Sequence, residues 1–329
     1  MARIALDAMG GDYAPKEIVK GAVEASNEIG INIILVGIED QLRYELSKYP
    51  HHENISIQHA SEMIGMNESP AQAVKQKKDS SVNVAISMLK RGIVEGVVSA
   101  GNTGALMTAS LFGLGRIKGI DRPAIATIFP SSAGDILLMD MGANVDCKPK
   151  HLVQFAKMGS IYAEQVMHVH NPKIGLLNIG EEPEKGNELT ISTYPLLKKE
   201  NTINFTGNVE SKEILKGKVN VVVCDGFTGN LILKFSESLA TMIYDLLKEE
   251  ISKHPLSKAG ALLLLPAFKR LQKRIDYDEL GGALLLGVNG LVMKAHGRSK
   301  AKAIKNTIKV ANEAIGKKVV SVLSRVGEG

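Results

Sequence analysis

Tryptophan is absent, and aromatic residues make up only 4% of the 329 residues. Short Val/Ile/Leu runs are common instead, a composition that suits a buried, mostly parallel sheet rather than an antiparallel sandwich. The two cysteines, Cys147 and Cys224, stand far apart and without metal-type spacing. They exclude a disulfide framework and a zinc site, and they fit a reducing compartment. Neither lies in a Gly-x-Cys-x-Gly elbow, so both are expected to be structural thiols rather than nucleophiles. His51-His52 and His168-Val-His170 have no partners at ligand spacing, so no metal is expected. The amino terminus reads directly into a strand, with no charged and cleavable leader, which predicts a cytoplasmic protein. The longest apolar stretch, Ala259 to Phe268, is about half of the roughly 20 residues a membrane-crossing helix needs. The Gly-x-x-x-x-Gly-Lys-Ser/Thr loop is missing, as is a Gly-x-Gly-x-x-Gly turn directly after a strand. ATP and NAD are therefore disfavoured, and no cofactor is expected.

What the chain does have is a recurring unit: a β-type run, a glycine-rich turn, then a helical pattern. Six such junctions occur, entering their turns at Gly10, Gly101, Gly142, Gly180, Asp225 and Gly297. Weaker strands are expected at Asn32 to Gly37, Ile55 to Gln58, Ala124 to Phe129 and Ile203 to Thr206. Pro15 suits the first turn of a helix running to about Gly30, with Ile18, Val19, Ala22 and Val23 as its apolar stripe. With 44% hydrophobic residues and no long linker or repeat, the chain reads as one α/β domain over residues 1–329. Ligands of an open α/β sheet bind beyond the carboxyl ends of its strands, so all six loops are expected to line one crevice.

Residues 252–282 stand apart as an inserted helical lobe. An apolar helix, expected to break at Pro266, leads into Phe268-Lys-Arg-Leu-Gln-Lys-Arg274 and an acidic turn from Asp276 to Glu279. Leu262 to Leu265 run continuously and so cover the helix all round, which requires a dimer contact, a membrane surface or an acyl chain to bury them. Charge is also uneven. From Lys253 onward there are 15 Lys/Arg against 5 Asp/Glu, a net +10 that leaves −5 for the first 252 residues. That asymmetry predicts an acidic partner. Nucleic acid is not that partner, because one Tyr and one Phe from Lys253 onward make no stacking platform.

The strongest chemical signal is Ser99-Ala-Gly-Asn-Thr-Gly-Ala105 followed by an apolar helical pattern. Gly101 and Gly104 allow close backbone approach to an oxyanion, Asn102 and Thr103 add donors, and a helix amino terminus adds partial positive charge. Asp225-Gly-Phe-Thr-Gly-Asn230 repeats the logic, with Asp225, Gly226, Thr228 and Asn230 as candidates. Cations at loop mouths complete the set: Lys185, and His296 with Arg298, whose guanidinium suits bidentate phosphate binding.

In order along the chain, Ala5-Leu-Asp-Ala-Met-Gly-Gly-Asp12 with Pro15, Ser99 to Ala105, Met139-Asp-Met-Gly-Ala-Asn-Val-Asp-Cys-Lys-Pro149, Asn178-Ile-Gly-Glu-Glu182 with Lys185-Gly, and Cys224-Asp-Gly-Phe-Thr-Gly-Asn230 resemble the bacterial phosphate acyltransferase family of phospholipid synthesis. Gly281-Gly282, Leu286-Gly-Val288 and His296-Gly-Arg-Ser299 extend the match to essentially the whole chain. The resemblance implies transfer of a long-chain fatty acyl group from acyl carrier protein to inorganic phosphate. It also implies a homodimer and a three-layer α/β/α fold like that of phosphotransacetylases and isocitrate-type dehydrogenases. Peripheral contact with the membrane, or with a membrane-bound glycerol-phosphate acyltransferase, is implied as well. On that reading Asn102, Thr103, Asn144, Thr228 and Asn230 bind or orient the reacting groups, Lys185 and Arg298 neutralise phosphate, and His296 assists proton movement. Rival readings are a phosphotransacylase using short-chain acyl coenzyme A, a decarboxylating dehydrogenase, and a noncatalytic membrane scaffold.

Overall fold

The computed structural model describes residues 2–275, 281–324 and 326. The β-branched runs form strands β1 (Arg3–Asp7), β2 (Asn32–Gly37), β3 (Ile55–His59), β4 (Gly96–Ser99), β5 (Ala124–Ser131), β6 (Gly134–Met139), β7 (Lys173–Asn178), β8 (Asn204–Glu210), β9 (Val221–Val223), β10 (Ala283–Leu286) and β11 (Leu291–Lys294). All belong to one sheet in the order β3-β2-β1-β4-β11-β10-β5-β6-β9-β7-β8. Helices cover both faces, which is why alternate residues of β1 part company. Ile4 and Leu6 join a core with Phe155 and Leu152, whereas Ala5 joins a second core with Val97 and Leu138.

The helices that matter for the site each start just beyond a strand. Helix α1 (Lys16–Ile29) follows β1 and ends at Gly30, whose left-handed conformation (φ 67°) closes the last turn on Ser26. Helices α3 (Pro70–Gln76) and α4 (Ser81–Lys90) precede β4, and α5 (Thr103–Leu114) follows it. Helix α6 (Pro149–Gln165) follows β6, α7 (Glu188–Lys199) follows β7, α9 (Gly226–Lys253) follows β9, and α11 (Ala301–Gly316) follows β11.

Two sequence expectations change. First, β10 pairs antiparallel with both β11 and β5, and β5 pairs antiparallel with β6. Strands β6, β9, β7 and β8 therefore run opposite to β1, β2, β3, β4 and β11, and the six glycine turns fall into two groups rather than one row. The two antiparallel pairings of β10 leave β5 running with β11, so the reversal is made by the β5–β6 hairpin, whose turn lies between Ser131 and Gly134. Second, Pro266 does not break its helix: α10 spans Pro255–Ile275 with the proline inside. A proline removes one backbone bond to the residue four before it. Here that residue is Leu262, 70% exposed, so its carbonyl is left where water can reach it.

Helix α9 is 28 residues long, with Gly226, Gly229 and Leu233 buried at its start, and it packs along α10, so the two helices form a hairpin. Leu263 is 84% exposed and Leu256 87%, and Phe227, Leu231 and Phe235 are exposed along α9 at a spacing of one turn. Arg270 is exposed. The side chains of Lys269, Lys273 and Arg274 and the turn Asp276 to Glu279 lie outside the described residues. Among the described residues no helix is long and apolar enough to cross a membrane.

Candidate active site

The first loop group gathers where β1, β4 and β11 end. Asp7, the last residue of β1, is buried, and Ser99 Oγ donates to its Oδ2 at 2.6 Å. Burial pushes the Asp7 carboxyl above its usual range, against the opposing pull of the Ser81 and Ser99 hydroxyls and the charge of Lys294. The Gly101 N–H donates to Ser99 Oγ at 3.0 Å, and the Asp12 N–H donates to the Gly297 carbonyl at 2.8 Å. Gly10 lies directly over this carboxylate: a Cβ there would stand 2.5 Å from Asp7 Oδ2 and 2.8 Å from the Gly101 nitrogen. Glycine is required because two backbones and a carboxylate meet at that point.

Asn102 caps α5, its Oδ1 accepting from the Ala105 N–H at 3.1 Å. Its Nδ2 donates to the Met66 carbonyl at 2.9 Å and the Glu68 carbonyl at 3.2 Å. Both ends of the side chain are thus engaged in holding the loop. What α5 offers an anion is the backbone of its first turn, at Thr103 and Gly104, with the helix dipole behind it.

Across from this turn stand His296, half-buried, and Arg298, exposed. The Arg298 N–H donates to His296 Nδ1 at 3.2 Å. Burial, then the positive charges of Lys294, Arg298 and Lys234, lower the His296 pKa, with Asp12 opposing. The imidazole is accordingly neutral near pH 7 and able to take a proton.

The second group gathers where β6 and β9 end. Asp140 is fully buried: its Oδ1 accepts from the Ile125 N–H at 2.9 Å and the Ala143 N–H at 3.0 Å. Its Oδ2 accepts from the Asn144 N–H at 2.7 Å and from Asn144 Nδ2 at 2.8 Å. Asn144, itself buried, also donates to the Pro123 carbonyl at 2.7 Å. The Gly226 N–H donates to the Asn144 carbonyl at 2.8 Å, which joins the turn to the start of α9. There Asp225 caps the helix, accepting from the Thr228 N–H at 2.9 Å and from Thr228 Oγ1 at 2.8 Å. Asn144, Asp225 and Thr228 therefore shape the helix entrance. Asn230, one turn further on, faces Gly142, where a Cβ would stand 3.4 Å from it.

Lys185 is exposed on the turn after β7, whose shape is held by Asn178 Nδ2 donating to the Lys185 carbonyl at 2.8 Å. Asn208 Nδ2 anchors the same turn at the Glu182 carbonyl, 2.8 Å away. Among the described residues no side-chain hydrogen bond or ion pair joins Lys185 to either loop group.

Helix α9 links the two groups. Lys234 lies one turn beyond Asn230 on the same face, and its charge reaches His296 in the first group. Sequence reasoning missed Lys234, although its i+4 spacing from Asn230 is a usable signal. It also missed Asp7 and Lys294, which read as ordinary strand-end residues until the sheet assembles around them, and it weighed Asp140 only as a weak metal-binding candidate for the dehydrogenase reading.

The fold is shared with solved α/β enzymes. The chain superposes on a phosphotransacetylase from Streptococcus pyogenes with a TM-score of 0.62 at 14% identity, covering 100% of this chain and 94% of that one. It also superposes on a 4-hydroxythreonine-4-phosphate dehydrogenase from Klebsiella pneumoniae with a TM-score of 0.55 at 12% identity, covering 96% and 100%. The architecture is thus of the phosphotransacetylase type, a class in which fold alone does not choose between acyl transfer and dehydrogenation. Sequence chooses. Residues 2–322 match the family described as "Fatty acid synthesis protein". A phosphate acyltransferase from Dictyoglomus turgidum is 53% identical over 330 residues, covering 98% of both chains. The chain belongs to the phosphate acyltransferase family of fatty acid and phospholipid synthesis, and it is an enzyme.

Proposed function

We propose that the acyl donor is acyl carrier protein loaded with a long-chain fatty acid, and that inorganic phosphate attacks it at the first loop group, where β1, β4 and β11 end. The observation that carries this reading is the meeting of the Gly10 and Gly101 turns beside the α5 amino terminus, with the turn that holds His296 and Arg298 tied to them through the Asp12 N–H and the Gly297 carbonyl. Phosphate dianion is already a nucleophile, and a thiolate with a pKa of about 8.5 leaves with little help, so no covalent enzyme intermediate is needed. A phosphate oxygen forms the new C–O bond, the C–S bond breaks, and the thiolate collects a proton. The protein's tasks are to orient phosphate against the thioester and to stabilise the oxyanion that develops on the carbonyl. Arg298 neutralises phosphate, and the neutral His296 relays the proton. Asn230 orients the donor, and Lys185 adds positive charge from the β7 turn.

The test is incubation with palmitoyl-acyl carrier protein and phosphate, scoring free carrier thiol and trapping acyl phosphate with hydroxylamine. Release that requires phosphate and yields a trappable acyl group supports the reading. Turnover only with short-chain acyl coenzyme A replaces it. In the same assay Arg298→Ala should raise the phosphate KM roughly tenfold to a hundredfold, the range expected for losing hydrogen bonds to a charged group. Lys185→Ala should lower kcat/KM in the same direction. A variant matching the parent removes that residue from the site.

The exposed hairpin supports a homodimer that covers the Phe227, Leu231 and Phe235 row, and a peripheral membrane contact through Leu262 to Leu265 on the cytoplasmic side. Acidic carrier protein would be steered by the basic carboxyl-terminal quarter, making KM for the donor salt-sensitive. Replacing Leu263 and Leu264 with Glu should abolish binding to anionic liposomes while leaving the fold intact. Unchanged binding would place the membrane contact elsewhere.

A further inference from the structure

Beneath the first loop group lies a cation that the proposed chemistry does not itself engage. Lys294, the last residue of β11, is only 8% exposed. Its Nζ donates to the Ala100 carbonyl at 3.1 Å and to the Ala295 carbonyl at 2.5 Å. Ala100 belongs to the β4–α5 turn that holds Gly101 and Thr103, and Ala295 to the β11–α11 turn that holds His296 and Arg298. The backbone joins the same two strand ends through the Ala295 N–H, which donates to the Ser99 carbonyl at 2.9 Å. Burying an ammonium this completely is unfavourable unless its donors are satisfied, and a leucine would fill the space without that penalty. The usual partner for such a charge would be a carboxylate, yet these two bonds go to neutral carbonyls, and Asp7 and Asp12 act on it through space. Much of the positive charge is therefore left to act on the crevice above.

We propose that Lys294 is a positioning residue for phosphate: it clamps the β4–α5 turn to the β11–α11 turn and supplies the positive field that draws the anion between them. The proposal rests on the reading of this crevice as the phosphate site. It predicts a pH effect. Burial pushes the Lys294 ammonium down to about 8, with Asp7 and Asp12 opposing the shift. The other groups facing it are His296, already neutral in this range, and Asp7, whose pKa burial raises; Arg298 and Lys234 stand beyond His296. As pH rises through 8, Lys294 loses its charge while phosphate stays dianionic, so phosphate affinity should fall as pH rises.

The experiment measures phosphate KM, donor KM and kcat from pH 7 to 9.5 for the full-length parent and for Lys294→Met. In the parent, phosphate KM should rise severalfold to tenfold between pH 8 and 9. In Lys294→Met it should be at least tenfold higher at pH 7.5 and flat with pH, with donor KM within twofold of the parent. A lysine needed only for folding would lower the amount of active enzyme without moving the pH dependence. A phosphate KM that is flat with pH in the parent overturns the proposal, as does a folded Lys294→Met whose phosphate KM stays within twofold. Should Lys294→Met fail to fold, the parent's pH profile decides alone. Carrier release that needs no phosphate in the parent would instead sink the reading of the site, and with it this role.

Discussion

Asp140→Ala should lose roughly 4 kcal/mol or more of unfolding free energy in urea and at least a hundredfold in turnover. The fully buried carboxylate accepts from three backbone N–H groups, those of Ile125, Ala143 and Asn144, and from the Asn144 side chain. Leaving a buried donor without an acceptor costs about 1–3 kcal/mol each, and part of this is relieved if water enters the gap. A protein of ordinary stability has only about 5–15 kcal/mol in total. The effect on turnover has a separate origin. Asn144 is the point at which the β6 turn meets α9, through its carbonyl and the Gly226 N–H, so releasing Asn144 lets the α9 entrance shift. Asp140→Asn keeps one acceptor oxygen and the side chain's size, and its loss should be about half as large. Equal stability of Asp140→Ala and the parent would mean that the β6 turn is held by its backbone alone.

Much of this arrangement is legible in the sequence. The strands at Asn32–Gly37 and Ala124–Ser131 follow from β-branched runs, and the helix from Lys16 to Ile29 from its apolar stripe and terminal glycine. The loops are legible because only glycine permits the approaches they make. Strand direction is not, because a run such as Ala124–Ser131 reads the same either way, and its antiparallel pairing with β6 decides which turns meet. Side-chain roles are legible only in part. Asn102, Asp225 and Thr228 fit anion binding by type, yet their polar atoms are occupied in capping α5 and α9. Capping and anion binding select the same residues, because both satisfy the free N–H groups of a helix start. The burial of Asp7, Asp140 and Lys294 escapes sequence reasoning for the opposite reason, since nothing local marks a strand-end charge as buried.

Gly10→Ala should reduce kcat/KM for phosphate by about a hundredfold or more while costing the fold less than the loss of Asp140. The added methyl would lie 2.5 Å from Asp7 Oδ2 and 2.8 Å from the Gly101 nitrogen, well inside contact distance. Neither neighbour is a free side-chain end. The carboxylate is held by Ser99, and the nitrogen is backbone bonded to the same hydroxyl. Relief therefore requires the Gly10 turn to move away from the Gly101 turn by most of an ångström, and a displacement of that size at a reacting centre is enough for a hundredfold loss. The Gly10–Asp12 segment can yield because it is a turn, tied to the far loop chiefly through the Asp12 N–H and the Gly297 carbonyl. That bond carries the displacement on to His296 and Arg298, so phosphate KM should suffer as well as kcat. A control at Gly30, where an added Cβ meets nothing within 4 Å but the backbone is left-handed, should lower stability by about 1 kcal/mol with turnover unchanged. Should Gly10→Ala instead retain parental kinetics, the two turns would not form the phosphate crevice, and the centre of the site would shift to the entrance of α9.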